Sequence, residues 1–301
     1  MIVSGLGTTV RSPIIGLGCL IAGVTLTGCA SILQGEPDPG GGGGGPSSAP
    51  YAHATGAADV LVSIDVAGGY TSLEFSLRDT ADFLLLGNGT AIVPGAVIEI
   101  FPGPAIYPLQ SATVPEGRIQ ELFAAAAAAG LLVDTEIDYG DPGVIDVPDT
   151  SVQLTVDGRT YSHSAYALGY EDDSSPSLSE ANRAARSALR GFIDTAQAMV
   201  GVDSEQYVPD AVAAFRVSTG EPLPLEPELE QEPQPWPIAT VPPPIAPSYP
   251  TSCVVITGAE TVQLLAALEV SNELTPWLIG TEPPTRMAFR PLLPDDPGCE
   301  Q

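Results

Sequence analysis

Alternating apolar and polar positions dominate the first part of the chain after residue 50. In residues 59–66 apolar side chains occupy every second position, which is the period of a half-buried strand. The same alternation in residues 73–77 predicts another strand. Asn88-Gly89 lies between two apolar runs and predicts a tight hairpin, because both residues tolerate the positive φ of the turn. An edge strand is predicted among the prolines that follow, at Val97, Ile98 and Ile100.

Two longer segments repeat apolar residues at the helical spacing of three and four. The first helix is predicted over residues 115–130, because proline suits the first turn of a helix and glycine suits its end. The second is predicted to follow a capping box of Ser177 and Glu180 and to end at Gly201. Each helix has one apolar face, so each must pack against another layer.

The order of these elements indicates the fold class. Strands precede each of the two helices, and Asp157-Gly158 predicts a second hairpin between the helices. We therefore predict an α+β main domain in residues 51–220. It would be an antiparallel sheet with helices on one face, built from two strand–strand–helix units.

The C-terminal part begins with a change in composition. Residues 221–250 contain 11 prolines and five glutamates, which is typical of an extended, stiff connector. Residues 251–301 are predicted to form a small subdomain: a strand, a helix after a capping box of Thr257 and Glu260, and a final extended segment. A piece of this size is marginal alone, so we expect a disulfide and contact with the main domain to hold it.

Residues 1–28 have the layout of a cleavable signal peptide, with one charge at Arg11 and an apolar run of 13 residues. This run is shorter than the roughly 20 residues of a transmembrane helix. Residues 29–50 are rich in Gly, Pro and Ser, with six consecutive glycines, and predict a flexible tether.

Leu26-Thr27-Gly28-Cys29 resembles the lipobox of bacterial lipoproteins. The resemblance implies cleavage before Cys29, an acyl chain such as palmitate on its sulfur, and an outward-facing protein anchored to the cell membrane. The alternative is a secreted protein in which Cys29 stays a thiol. The chain as a whole is similar to uncharacterised lipoproteins of high-GC Gram-positive bacteria, which implies no activity. The stretches that carry this similarity are residues 87–90, 138–144 and 289–299.

Charge limits the partners of the chain. It has no lysine, and without Arg11 it carries nine arginines against 37 acidic residues, a formal charge of −28. Such a chain repels nucleic acid. An anionic membrane surface would repel it too, so anchoring would depend on the lipid at Cys29. We prefer solubility outside the cell as the reason for the acidity.

The four cysteines predict one disulfide. Cys19 lies in the apolar run of the leader and Cys29 in the lipobox, which leaves Cys253 and Cys299. An oxidising envelope compartment favours a bond between these two. A zinc site is the weaker interpretation, because two cysteines without nearby histidines fall short of four ligands.

His163 is the main candidate for acid–base chemistry, because only two histidines exist and His53 lies close to the end of the tether. A triad with a serine and an aspartate would make the protein an envelope hydrolase. However, the chain has no Gly-x-Ser-x-Gly elbow to favour it. We expect a residue of the sheet and retain the hydrolase as an alternative.

Two charged patterns remain as candidate binding sites. One has acidic residues at alternate positions, as a calcium loop would, although it lacks the glycine and final glutamate of an EF-hand. Its candidate ligands are Asp134, Glu136, Asp138 and Asp141. The other is a basic stripe with helical spacing, opposite the apolar face, for an anionic partner. It consists of Arg183, Arg186 and Arg190.

Both patterns also have simpler interpretations. The acidic residues fit a solvated strand face and turn. The arginines would pair with nearby carboxylates such as Glu180, Asp194 or those of residues 171–173. We predict a membrane-anchored accessory protein that binds or supports an unknown envelope partner, without a metal, a cofactor or catalysis.

Overall fold

The computed structural model describes residues 50–171, 175–201, 203–217, 229–246, 251–294 and 296–299. The predicted leader, Cys29 and the tether up to residue 49 lie outside these ranges. Within them, no helix has the length and the apolar character needed to cross a membrane.

Twelve strands and four helices are assigned in the described ranges. The strands are β1 Val60–Gly68, β2 Phe83–Leu86, β3 Thr90–Pro94, β4 Leu109–Thr113, β5 Pro148–Val156, β6 Arg159–Tyr166, β7 Glu205–Tyr207, β8 Ala211–Val217, β9 Gln234–Pro235, β10 Thr251–Thr257, β11 Trp277–Leu278 and β12 Met287–Pro291. The helices are α1 Leu73–Arg78, α2 Glu116–Ala128, α3 Glu180–Gln197 and α4 Ala259–Glu269.

The larger sheet has seven antiparallel strands in the order β6-β5-β1-β2-β3-β4-β7. Both predicted hairpins are present in it. Gly89, with φ of 84°, turns between β2 and β3, and Asp157 and Gly158, both with positive φ, turn between β5 and β6. β1 lies near the middle and pairs with β2 on one side and with β5 on the other.

Helices α2 and α3 pack on one face of this sheet, which confirms the α+β prediction. Their buried side chains form one core with the inward residues of β1, β2 and β5, and the helical members are Ile119, Leu122, Phe123, Ala126, Leu189, Phe192 and Ala196. On the other face, Leu84, Leu86, Ile92 and Leu109 pack with Leu293 near the C-terminus. The sheet is therefore covered on both faces.

A second, three-stranded sheet has the order β10-β8-β12. Its centre, β8, comes from residues that the sequence grouped with the main domain. The predicted connector also contributes, because β9 pairs in parallel with β11 and Trp236 packs against Trp277 and Phe289. Contacts join residues 49–301 in one compact unit.

The predicted disulfide is formed between Cys253 and Cys299, whose Cα atoms lie 5.6 Å apart. Cys253 lies on β10, and Cys299 follows β12, so the bond links the two outer strands of the second sheet. α4 lies in the loop that this bond closes, with its buried side chains Leu264 and Leu268 in the C-terminal core.

The strand predicted at residues 73–77 is instead helix α1. Ser72 caps it, and its hydroxyl accepts a hydrogen bond from the Phe75 N–H at 3.2 Å. Only Leu77 of the three alternating apolar residues is fully buried, so the alternation did not mark one buried face. The strand predicted at residues 97–100 is also absent from the structure. Flanking prolines lack the N–H that a strand ladder needs.

Both predicted capping boxes were misplaced. The box on α3 is formed by Ser179 and Asn182, whose side chains bond each other's backbone N–H groups. At α4 the N-cap is Gly258, with no side-chain cap. The Glu260 carboxylate instead accepts hydrogen bonds from the N–H groups of Ala239 and Thr240, in the predicted connector.

Candidate functional site

His163 is a buried residue of the sheet. Its Nε2 lies 2.8 Å from the carbonyl oxygen of Leu131 and its Nδ1 lies 3.1 Å from the Tyr139 hydroxyl. A carbonyl can only accept, so Nε2–H donates to it, and the hydroxyl of Tyr139 is the hydrogen-bond partner of Nδ1. Burial raises the pKa of Tyr139 to about 12, which keeps the phenol a donor. Both ring nitrogens are thus bonded within the core, to a phenol and a backbone carbonyl.

The structure does not bring the four candidate calcium ligands together around one point, and three of them have separate partners. Asp134 forms an ion pair with Arg159. Asp138 and Asp141 each accept a hydrogen bond, at 2.8 Å, from the backbone N–H two residues further on, while Glu136 is exposed. Among the described residues, no group of three or more His, Cys, Asp or Glu side chains is placed to hold a metal ion.

The predicted basic stripe is not an exposed surface, because Arg186 is fully buried on the apolar side of α3. Its guanidinium lies 2.9 Å from Glu171 and donates to the carbonyl oxygens of Tyr166 and Ala167 at 2.9 and 2.6 Å. Arg190 also approaches Glu171, at 3.4 Å, and Arg183 donates to the carbonyl oxygen of Ser175. Of the carboxylates considered from the sequence, Glu171 pairs with Arg186 and Arg190, whereas Arg183 donates to a backbone carbonyl oxygen.

One concavity, which we call the acidic cleft, has a volume of about 910 Å³. It lies where the end of β1, helix α1 and the segment after β12 meet. The carboxylates in its wall are Asp65, Asp79, Asp146 and Asp296, and the aromatic rings are Tyr70, Phe75 and Tyr170.

Three half-buried carboxylates lie close together at one side of the acidic cleft. Desolvation, with the charges of Asp65 and Asp82, raises the pKa of Asp79 to about 6. Desolvation also raises the pKa of Asp82 to about 6, although the Val66 N–H donates to this carboxylate at 2.8 Å. Burial likewise raises the pKa of Asp65. These groups therefore repel one another when ionised.

One cation, Arg290, reaches the acidic cleft, but it is largely committed elsewhere. Its guanidinium bonds Asp296 at 3.0 Å and the carbonyl oxygen of Gly298 at 2.5 Å. It lowers the pKa of Asp79 only as the smallest of several influences. The carboxylates of Asp65, Asp79 and Asp146 have no ion-pair partner among the described residues.

Aromatic rings stand at the mouth of the acidic cleft. Tyr70 is 91% exposed, and Phe75 and Tyr170 are about half exposed. The backbone of Tyr70 is fixed, since its N–H donates to the carbonyl oxygen of Asp146 at 3.1 Å. An exposed ring on a fixed backbone offers a face to a ligand, whereas a ring in the core does not.

The sequence did not reveal the acidic cleft, because its walls come from five separated segments. Asp65 is on β1, Asp79 follows α1, Asp146 precedes β5, and Asp296 follows β12. One signal was available: two carboxylates, Asp79 and Asp82, lie in the four-residue segment between α1 and β2.

A second concavity, which we call the apolar groove, has a volume of about 670 Å³. One wall is the irregular segment of residues 96–108, and the other is the C-terminal half of α4 with residues 206–209. The exposed aliphatic residues that line it are Val97, Ile98, Ile100 and Val208. Three of these belong to the segment predicted as an edge strand.

Comparison of the chain with protein-family models, with curated proteins and with solved structures found no match. Functional inference therefore depends on the two concavities and on the chemistry of their walls.

Proposed function

We propose that this protein is a non-catalytic binding protein of the cell envelope, anchored by a lipid on Cys29, and that its acidic cleft takes a ligand with a positively charged nitrogen. The observation that carries the ligand class is a set of three carboxylates, Asp65, Asp79 and Asp146, which have no ion-pair partner among the described residues and lie beside exposed aromatic rings. The outward-facing anchoring follows from the lipobox resemblance and from the tether of residues 29–50.

Electrostatics favour a cation in the acidic cleft. Half-buried carboxylates that repel one another cost folding free energy, and a bound cation would relieve that repulsion. The chain has a formal charge of −27, so its field also attracts cations and repels anions. This field argues against nucleic acid as a partner.

The aromatic rings favour an ammonium or guanidinium group over a bare metal ion. Such a group is attracted to the face of a tyrosine or phenylalanine by about 0.5–2 kcal/mol. A hydrogen bond to a carboxylate adds about 1.5–3 kcal/mol. An organic cation can make both contacts and fill the volume of the acidic cleft, which lies within the usual range for small-molecule sites.

The hydrolase alternative depended on His163. Because both of its ring nitrogens are bonded inside the core, we do not propose that role for it.

Binding can be tested with a pair of ligands that differ only in charge, N-acetyl-arginine amide and N-acetyl-citrulline amide. With the mature chain carrying Cys29→Ser, we expect the arginine ligand to shift the NMR signals of Asp65, Asp79 and Tyr70. The citrulline ligand should bind at least about tenfold more weakly, because it lacks the charge. Equal binding of the two ligands, or shifts confined to other surfaces, would contradict the proposal.

Substitutions in the acidic cleft test whether the arginine ligand binds there. Tyr70→Ala and Asp79→Asn should each weaken binding of the arginine ligand about three- to thirtyfold, the range expected for one cation–π contact or one charged hydrogen bond. Asp194→Asn is the matched control, because Asp194 is an exposed carboxylate on α3, away from the cleft lining. A control that weakened binding equally would show a general charge effect.

Anchoring can be tested separately. Mass spectrometry of the N-terminal peptide should show diacylated Cys29, and Cys29→Ser should release the protein from membranes. An unmodified thiol in the native protein would contradict the anchoring and leave the binding proposal intact.

A further inference from the structure

The apolar groove has a fixed wall. Gly103 N–H donates to the Glu273 carboxylate at 2.6 Å, and Glu273 N–H donates back to the Gly103 carbonyl oxygen at 3.0 Å. Buried Arg78 bonds the same carboxylate at 2.7 Å and also the carbonyl oxygen of Pro104. Its guanidinium lies 4.3 Å from the ring centroid of Tyr107, which lines the groove. The wall is therefore preformed, not a loose loop.

Aliphatic side chains on this fixed wall remain exposed to water. Ile98 is 75% exposed and Ile100 is 62% exposed, and both face the groove. Leu265 and Leu268 of α4 line the opposite side. Contiguous exposed apolar surface around a concavity marks a binding site more often than scattered apolar residues do.

Prolines reduce the number of backbone N–H groups that the lining could offer to an extended peptide. Five prolines lie along it and supply no N–H groups: Pro102, Pro104, Pro108, Pro209 and Pro291. Two backbone N–H groups of the lining are already engaged: the Ile100 N–H donates to the Ile98 carbonyl oxygen at 2.8 Å, and the Gly103 N–H donates to the Glu273 carboxylate at 2.6 Å. A peptide would lose hydrogen bonds with water on entering, whereas a hydrocarbon chain has none to lose.

The charge of the groove lining and of the whole protein limits the head group that such a hydrocarbon chain can carry. The only Asp, Glu, Arg or His that lines the apolar groove is Glu269, in a protein of net charge −27. A negatively charged head would be repelled both locally and by the overall field. The observations thus combine a hydrocarbon-compatible lining with a rim that disfavours anions.

We infer that the apolar groove binds the single hydrocarbon chain of an amphiphile whose head group is uncharged. This site is separate from the acidic cleft, since the two linings share no residue, and the inference does not depend on the function proposed above. The occupant is a monomeric amphiphile and not a bilayer surface, because the groove is concave.

The test uses three probes with the mature Cys29→Ser chain: decyl maltoside below its critical micelle concentration, maltose, and decanoate. Methyl NMR signals of Ile98, Ile100 and Leu265 should shift with decyl maltoside and remain unchanged with maltose. Decanoate should bind at least about tenfold more weakly than decyl maltoside, because its carboxylate is repelled. Shifts with maltose alone, or equal binding of decanoate, would overturn the inference.

Matched variants complete the test. Ile98→Ser with Ile100→Ser should weaken decyl maltoside binding at least about tenfold, since two large aliphatic side chains are removed from one wall. Val270→Ser is the control, because Val270 is an 86% exposed aliphatic residue outside the groove lining, and it should leave binding unchanged. Both wall residues are exposed, so the double variant should fold.

An experiment with vesicles distinguishes binding of a monomeric amphiphile from insertion into a lipid bilayer. The unlipidated chain should not sediment with uncharged phosphatidylcholine vesicles. Sedimentation that depended on Ile98 and Ile100 would show that this surface inserts into bilayers, and would overturn the inference.

Discussion

Arginine has an unusual distribution at the level of single residues. Residues 50–301 contain nine arginines, all described by the structure, and four of them are almost fully buried: Arg78, Arg186, Arg216 and Arg290. Each of the four pairs with a carboxylate. A chain without lysine thus places nearly half of these cations inside, where removal of one partner leaves a buried charge uncompensated.

Arg186→Ala is expected to lower the free energy of unfolding by about 3–5 kcal/mol, because it removes the buried cation that pairs with Glu171 and donates to several backbone carbonyls. Chemical denaturation of the full mature chain measures this change. Arg118→Ala is the control: its ion pair with Glu121 is exposed, so the loss should stay below about 1 kcal/mol. Similar losses in both variants would contradict a special role for the buried pair.

The carboxylates of the acidic cleft predict a pH dependence with a definite sign. Burial raises the pKa of Asp79 to about 6 in the folded protein, above its ordinary value of 3.8. The folded state therefore binds the proton more tightly, and this group's contribution to stability falls as pH rises from about 4 to 6. Asp79→Asn should stabilise the protein at pH 7.5 by on the order of 1 kcal/mol, after allowance for solvent screening, and have little effect at pH 4.

Thermal unfolding at both pH values checks this expectation. Asp194→Asn, on the exposed side of α3, should have the same effect on stability at both pH values. A loss of stability in Asp79→Asn at pH 7.5 would show that the ionised carboxylate makes a net favourable interaction in the folded protein. That result would contradict the predicted repulsion.

At the level of elements, helix α3 depends on its cap. The Ser179 hydroxyl accepts the Asn182 N–H at 3.1 Å, and the Asn182 amide oxygen accepts the Ser179 N–H at 3.0 Å. Asn182 also reaches the carbonyl oxygen of Asp138 at 2.8 Å, so the start of the helix is tied to the segment before β5.

Ser179→Ala is expected to cost about 1 kcal/mol of stability, the usual value for loss of an N-cap side chain. Ser177→Ala is the matched control, because Ser177 is an exposed serine two residues outside the cap. Urea titration of both variants separates them. A larger loss for Ser177→Ala would restore the capping box predicted from the sequence.

Local patterns were sufficient for elements whose neighbours in space are also neighbours in sequence. The hairpins at Asn88-Gly89 and Asp157-Gly158 and the helix ending before Gly130 follow from turn chemistry and period. The short helix α1 was predicted as a strand, because three alternating apolar residues fit either a strand or a short helix. The two concavities were not predicted, because each is lined by segments that lie far apart in the chain. Arg186 was misplaced because a buried ion pair cannot be distinguished from an exposed one by helical spacing alone.

For the whole molecule, the disulfide holds more than the C-terminal sheet. Asp296 and Pro297 line the acidic cleft just before Cys299. Arg290, on β12, bonds both Asp296 and the Gly298 carbonyl oxygen. One wall of the acidic cleft is therefore stabilised by the covalent link between Cys299 and β10.

Replacement of both cysteines, Cys253→Ser with Cys299→Ser, should lower the free energy of unfolding by about 4 kcal/mol, the chain-entropy value for a separation of 46 residues. Guanidinium titration measures the change, with the wild-type protein under reducing conditions as a second comparison. The double variant should also bind the arginine ligand more weakly, because Asp296 and Pro297 lose their restraint. Unchanged stability would show that packing alone holds this end of the chain.

The position of β1 in the larger sheet sets an order of events in time. Strands β1 to β4 form a meander of sequence neighbours and can pair as soon as residue 113 is available, whereas the other edge of β1 must wait for β5, up to residue 156. During that interval the edge of β1 that later pairs with β5 has unpaired backbone groups. An exposed edge of this kind can pair with other chains and lead to aggregation. Association with other chains is therefore expected to be strongest after the first four strands have paired and before the fifth is available.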